Sequence, residues 1–311
     1  MYKTVLTSNP LKSLLYKPTT ITTRHLSTMG SNGTSTRQPL KLLMLHGYTQ
    51  SGSLFHAKSR ALTKHIQKAF PLHEVTPIYP TGPLRLRPAD IPGYEPSTTG
   101  TADEEIESYA WWRRSNTAKP PLYIDLEEGL ASVARTLQEE GPFDGVIGFS
   151  QGAALAAMVA SLLEPGRKES FEHFSKIAVD GAAGMEMPAP FGAEGFKHPQ
   201  LKFAVCYSGF RAPGPRYRAF YEEPAIQTPV LHVLGSLDAV VEEARSRALV
   251  EACAGEPEKD GSVVWHPGGH FLPSQRPYLD AVVRFIREKM EGSDGKGKEV
   301  EEDVNDMDMP F

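Results

Sequence analysis

The sequence predicts an α/β fold, with a mostly parallel central sheet, helices on both faces and irregular segments covering one end. Two observations carry this reading. From about residue 40 to residue 290, short apolar runs alternate with stretches of helical periodicity. One Gly-x-Ser-x-Gly turn also sits between such a run and an apolar helix.

The elements follow in order. Leu40 to Leu45 reads as a buried strand ending at His46-Gly47. Behind it, Leu54, Phe55, Ala61, Leu62, Ile66, Ala69 and Phe70 recur at helical spacing, with Ser51 or Ser53 as the cap. Glu74 to Tyr79 is a second strand, and Asp125 to Glu139 is a helix with Leu126, Leu130, Val133, Ala134 and Leu137 on one face. Phe143 to Phe149 is a strand, and Ala153 to Leu163 is so apolar that the helix it forms must be buried nearly all round. Three further strands are expected over Lys202 to Tyr207, Pro229 to Leu234 and Ser262 to Trp265. An amphipathic helix over Leu279 to Met290 closes the domain, with Val282, Val283 and Ile286 inward. Two Pro- and Gly-rich segments, 80–123 and 164–200, break the alternation and read as cover over the site rather than as a second domain.

Composition narrows the function. With 40% hydrophobic residues in a 311-residue chain, a sizeable core is available. The two cysteines, Cys206 and Cys253, lie far apart with no C-x-x-C, which argues against a disulfide framework, a zinc knuckle or a redox dithiol. Net charge is -5, unevenly spread: residues 1–40 hold five Lys/Arg and no acid, while residues 291–311 hold eight acids against two lysines. What lies between has a mild acidic excess and no concentrated basic face, which counts against nucleic acid as a partner. No run of 18 apolar residues exists to span a membrane. Residues 1–39, basic and rich in Ser and Thr, are expected to be a disordered leader, either a mitochondrial transit peptide or a stretch skipped by a start at Met29. Residues 291–311 are expected to be a disordered acidic tail, leaving 40–290 as the catalytic domain.

Gly148-Phe149-Ser150-Gln151-Gly152 places Ser150 on a sharp strand-to-helix turn, the arrangement of an α/β-hydrolase nucleophile. Serine needs a base within hydrogen-bond reach, and the base needs an anion to fix its tautomer. In this fold the acid and the histidine follow the nucleophile, each past a later strand. Asp238 lies just beyond the strand ending at Leu234; its other reading is an Asp that caps the following helix. His270 lies in His266-Pro267-Gly268-Gly269-His270, a loop able to swing back over Ser150. His266 and His270 are four apart, but the intervening Pro and glycines deny them a helix, so no metal site is expected; His266 and His46 are read as structural. For the oxyanion, the expected donors are the backbone N–H groups of Gln151 and of Tyr48, in the loop after the first strand.

Taken together, LHGYTQSG, YAWWR, GPFDGVIGFSQGAALAA, YSGF, the stretch from Pro229 to Ala248 and HPGGHFLP resemble the FSH family of serine hydrolases, from about Leu40 to Met290. The resemblance implies a triad of Ser150, Asp238 and His270, no cofactor, and small-molecule acyl esters or thioesters as substrates. It also implies an intracellular protein, cytoplasmic or nuclear; the basic leader points instead to mitochondria. Tyr109, Trp111 and Trp112 have two readings, walls of an acyl pocket or a plug holding the cover segment to the core. Beside the esterase or thioesterase reading stand two others, a non-catalytic ligand-binding protein on the same fold and a peptidase using the same triad.

Overall fold

A computed structural model describes residues 37–91, 93, 107–115, 117–179 and 182–292. Residues 1–36 of the expected leader and 293–311 of the expected tail lie outside the described residues. Six parallel strands form the central sheet: β1 (Gln38–Leu45), β2 (His73–Ile78), β3 (Gly145–Phe149), β4 (Phe203–Tyr207), β5 (Val230–Gly235) and β6 (Val263–His266), in the order β6-β5-β4-β3-β1-β2. The first strand thus takes in the last two residues assigned to the leader.

Parallel strands covered on both faces carry apolar side chains in both directions, and β1 shows it. Leu40, Leu42 and Met44 point to one side, where they join Ile147, Val205, Val233 and helices α1 (Gly52–Ala69) and α6 (Arg276–Glu291). Leu43 and Leu45 point to the other, with Val146, Ala204 and helices α2 (Leu126–Glu140) and α3 (Gln151–Leu162). Each fully buried Leu, Val or Ile in these layers contributes about 1.5–3 kcal/mol. All twelve residues of α3 are buried, and its alanines let it press against the strands. Ser51 caps α1, its side chain accepting from the Leu54 N–H at 3.2 Å, while Ser53 bonds to the Ser51 hydroxyl at 2.9 Å. Both thiols are buried, and burial pushes Cys206 and Cys253 up, so they stay protonated.

The two long segments behave differently. In 80–123, short antiparallel ribbons pair Leu84–Arg85 with Tyr109–Ala110 and Arg113–Arg114 with Tyr123–Ile124. The second segment departs from the expectation of a cover. Residues 164–200 contain helix α4 (Arg167–Ser175), which packs against the 3₁₀ turn Pro215–Phe220, and none of the described residues of this segment lines the cavities at Ser150. The helix expected after Asp238 is α5 (Glu243–Val250), which precedes β6.

Beneath α4 sits a wholly buried ion pair. Arg167 donates to Glu164 at 2.7 Å and to the carbonyls of Ala219 and Pro224 at 3.0 and 2.8 Å, and the other Glu164 oxygen accepts from the N–H groups of Gln227 and Thr228. Removing one partner strands the other charge away from water, so Arg167→Met is expected to cost about 3–5 kcal/mol. For a domain of this size that lowers Tm by about 10 °C or more, and a double Glu164→Gln/Arg167→Met variant recovers a large part of the loss. A thermal melt of Arg167→Met that matches the parent protein contradicts the account.

Candidate active site

The site gathers at the C-terminal ends of the strands. β1 is flanked by β2 on one side and β3 on the other, so the strand order reverses there and a crevice opens beyond the strand ends. Tyr48 follows β1 and Ser150 follows β3; Asp238 and His270 come from the loops after β5 and β6.

Ser150 has φ 54° and ψ -116°, a strained backbone that a tight approach must hold in place. The two flanking glycines make that approach. A Cβ on Gly152 would lie closer than 3.0 Å to the carbonyls of Leu45 and His46, and one on Gly148 would strike the Gly152 carbonyl. The Ser150 N–H donates to the Tyr207 carbonyl at 2.8 Å, tying the turn to β4.

His270 Nε2 lies 2.9 Å from Ser150 Oγ, and His270 Nδ1 lies 2.8 Å from Asp238 Oδ2. The imidazole also rests against the Phe149 ring, centroids 4.9 Å apart. Asp238 takes the first of the two roles weighed for it and not the second: the helix that follows begins at Glu243 with Glu242 as its N-cap, and Asp238 bonds none of its N–H groups. Its Oδ2 faces His270, while Oδ1 accepts from the N–H groups of Val240 and Val241, each at 2.9 Å, shaping the turn that leads into α5. Burial alone would push the Asp238 carboxyl up; the bonds from Val241, His270 and Val240 outweigh it, and the carboxyl is held below its ordinary range.

The N–H groups of Tyr48 and Gln151 meet no acceptor among the described residues. Around them is a network that sequence reasoning missed. The Gln151 side chain accepts from the Trp111 N–H and donates to the Trp112 carbonyl, both at 2.9 Å. The Trp111 indole donates to the His46 carbonyl at 2.9 Å. His46 donates through Nδ1 to the Gly47 carbonyl and accepts at Nε2 from the Gly82 N–H, each at 2.8 Å, so the ring is neutral; burial lowers its pKa to about 4 against the pull of the Gly47 bond. The two tryptophans therefore divide the readings offered for them. Trp111 is a plug, and Trp112, stacked on Tyr123, is a cavity wall. His266 is buried beside Phe271 and Tyr278 and has no hydrogen bond to Ser150 or Asp238.

Two cavities meet at Tyr48 and Ser150. One, of about 670 Å³, is lined by Gln151, Trp112, Tyr123, Phe210, Val241 and Arg245. The other, of about 610 Å³, is lined by Thr49, Lys58, Phe149, His270, Phe271 and Leu272. Among the described residues no group of three or more His, Cys, Asp or Glu is placed to hold a metal ion, and no helix is long and apolar enough to cross a membrane.

The profile of the serine hydrolase (FSH1) family matches residues 35–282. The chain belongs to that family. It is 31% identical over 265 residues to esterase OVCA2 of Danio rerio, a match covering 79% of this chain and 98% of the relative. To the Saccharomyces cerevisiae protein Family of serine hydrolases 3 it is 31% identical over 258 residues, covering 79% of this chain and 83% of the relative. A Schizosaccharomyces pombe protein named dihydrofolate reductase is 34% identical over 253 residues, 80% of this chain and 47% of that protein; this serine hydrolase spans about half of its length.

The buried histidines give this serine hydrolase an acid limit. Burial holds His46 and His232 at about 4 in the folded state, below the ordinary 6.5 they regain on unfolding. The unfolded chain therefore binds more protons between those values, and stability falls as pH drops through 6.5 toward 4. Each imidazole is expected to remove about 2 kcal/mol between pH 7 and pH 5. Chemical denaturation at the two pH values checks this, and equal stability at both contradicts it.

Proposed function

We propose that this serine hydrolase cleaves small-molecule carboxylic esters or thioesters through an acyl-enzyme on Ser150. The observation that carries the reading is the unbroken hydrogen-bonded chain from the Ser150 hydroxyl through both nitrogens of His270 to the Asp238 carboxylate. Family membership and relatives named as esterases support the same chemistry.

In the first half-reaction Ser150 Oγ attacks the acyl carbon and its proton passes to His270 Nε2. The imidazolium is stabilised by Asp238, which accepts from Nδ1–H and keeps the ring in the tautomer that leaves Nε2 free as a base. Charge on the tetrahedral oxygen is received by the N–H groups of Tyr48 and Gln151, each worth about 3 kcal/mol in the transition state. The leaving oxygen or sulfur takes the proton from Nε2, and the acyl group remains on Ser150. Water then repeats the sequence: it loses a proton to His270, attacks the acyl carbon, and Ser150 recovers its proton as the acid departs.

A fluorophosphonate is expected to label the protein at Ser150, and p-nitrophenyl esters to release p-nitrophenol. Ser150→Ala is expected to lower kcat by on the order of a million-fold with KM little changed. Asp238→Asn, which cannot offer an acceptor to Nδ1–H and to the turn at once, is expected to lose about ten-thousand-fold. Undiminished turnover in Ser150→Ala, or a wild type that resists the probe, removes the reading.

A further inference from the structure

The two cavities at Ser150 can be assigned by following the proton. His270 Nε2 must deliver it to the leaving atom, so the leaving group lies on the side lined by His270, with Thr49, Lys58, Phe271 and Leu272. The acyl chain is left with the cavity walled by Trp112, Tyr123, Phe210 and Val241.

Beside these apolar walls the cavity carries four charged residues, Asp90, Arg113, Arg114 and Arg245. Arg114 and Arg245 line it and also line an adjoining cavity, which holds Arg211 and Arg218 with their partner Glu222 and lacks Ser150, so the two arginines stand at the border between the cavities. The other charges in the acyl cavity are already matched, Arg113 by Asp125 and Asp90 by Arg87. Arg114 and Arg245 form no ion pair with any carboxylate among the described residues; Arg245 lies over the Phe210 ring at 4.2 Å. Beside them the Tyr123 hydroxyl is buried and faces the Arg245 guanidinium, which can only donate, so its O–H has no acceptor among the described residues. Its ring is stacked between Trp112 and Tyr217, centroids 4.8 and 5.0 Å away, which keeps it from swinging to solvent. Burial pushes the phenol up, so it remains a donor. Two guanidinium groups and a phenol O–H are thus gathered with no acceptor supplied by the described residues, and a buried donor left unpaired is costly.

We propose that Arg114, Arg245 and Tyr123 receive a carboxylate at the far end of the acyl chain, making half-esters or half-thioesters of dicarboxylic acids the preferred substrates. A carboxylate offers two oxygens with about four acceptor sites, enough for a forked guanidinium bond and the phenol together. The inference rests on the acyl-enzyme reading of Ser150.

The test compares kcat/KM for mono-p-nitrophenyl esters of succinate, glutarate, adipate and pimelate with p-nitrophenyl esters of the unbranched monocarboxylic acids of equal carbon number. The expected result is a preference of about tenfold or more for the carboxylate at one chain length, the yield of a charge-assisted bond. In Arg245→Gln that ratio falls by about tenfold, Arg114→Gln and Tyr123→Phe also lower it, and Arg247→Gln, on the same helix but paired with Glu243 and Glu258, keeps the wild-type ratio. Arg114 is exposed, so its variant tests the idea without disturbing the core. No preference at any length, or a ratio unchanged in both Arg245→Gln and Arg114→Gln, overturns the inference. So does an Arg245-dependent preference for a neutral acyl-coenzyme A over the matching N-acetylcysteamine thioester, which would put the anion on the leaving group. Fluorophosphonate labelling separates the two levels: neutral-ester turnover by a labelled Ser150 without carboxylate preference removes this inference alone, and absence of labelling removes the hydrolase reading beneath it.

Discussion

The close packing of the first turn of α3 on the end of β1 is the constraint from which the site follows. Gly152 has no Cβ to hold it off the Leu45 and His46 carbonyls, and Gly148 has none to hold it off Gly152. Only with both in place does the chain fold back sharply enough to lift Ser150 clear of the strand ends, in a backbone conformation that an ordinary turn would relax. The same contact brings the loop after β1 beside the start of α3, so that the N–H groups of Tyr48 and Gln151 come from different parts of the chain to the edge of a shared cavity.

Around this contact the polar groups are neutral and locked rather than charged. The Gln151 amide, the Trp111 indole and an uncharged His46 form one hydrogen-bonded run from α3 through the ribbon segment to the first loop. Such a run costs little in a low-dielectric interior because its donors and acceptors are matched, and it fixes the backbone around the N–H groups of Tyr48 and Gln151. Gln151 is thus divided, its side chain holding the tryptophan pair while its backbone N–H meets no acceptor among the described residues.

The sheet was legible because parallel strands and their crossover helices write unmistakable apolar runs, and all six strands lie where the runs predicted them. The elbow was legible because strain demands glycine. Asp238 and His270 were reachable from strand order alone, and the structure brings both into one chain with Ser150. The helix after Asp238 could be expected but not bounded, because α5 has few apolar positions, although Glu243 and Arg247 carry the four-residue spacing of a helical ion pair. The role of 164–200 was misread for a different reason: its Gly, Ala and Pro content says loop, while the buried partners of Arg167 come from residues 219 to 225, which no local pattern connects to it. The Gln151 clamp was illegible for the same cause, since its partners are some forty residues away and are backbone groups.

Asp238 spends one carboxylate oxygen on the turn after β5 and the other on His270. Local folding and competence for chemistry are thereby a single event on that loop: if the turn opens, the imidazole loses its tether at the same moment. Turnover can then serve as a sensitive gauge of order in one small region, fading under mild denaturant while the spectroscopic signature of the sheet and its helices is still intact.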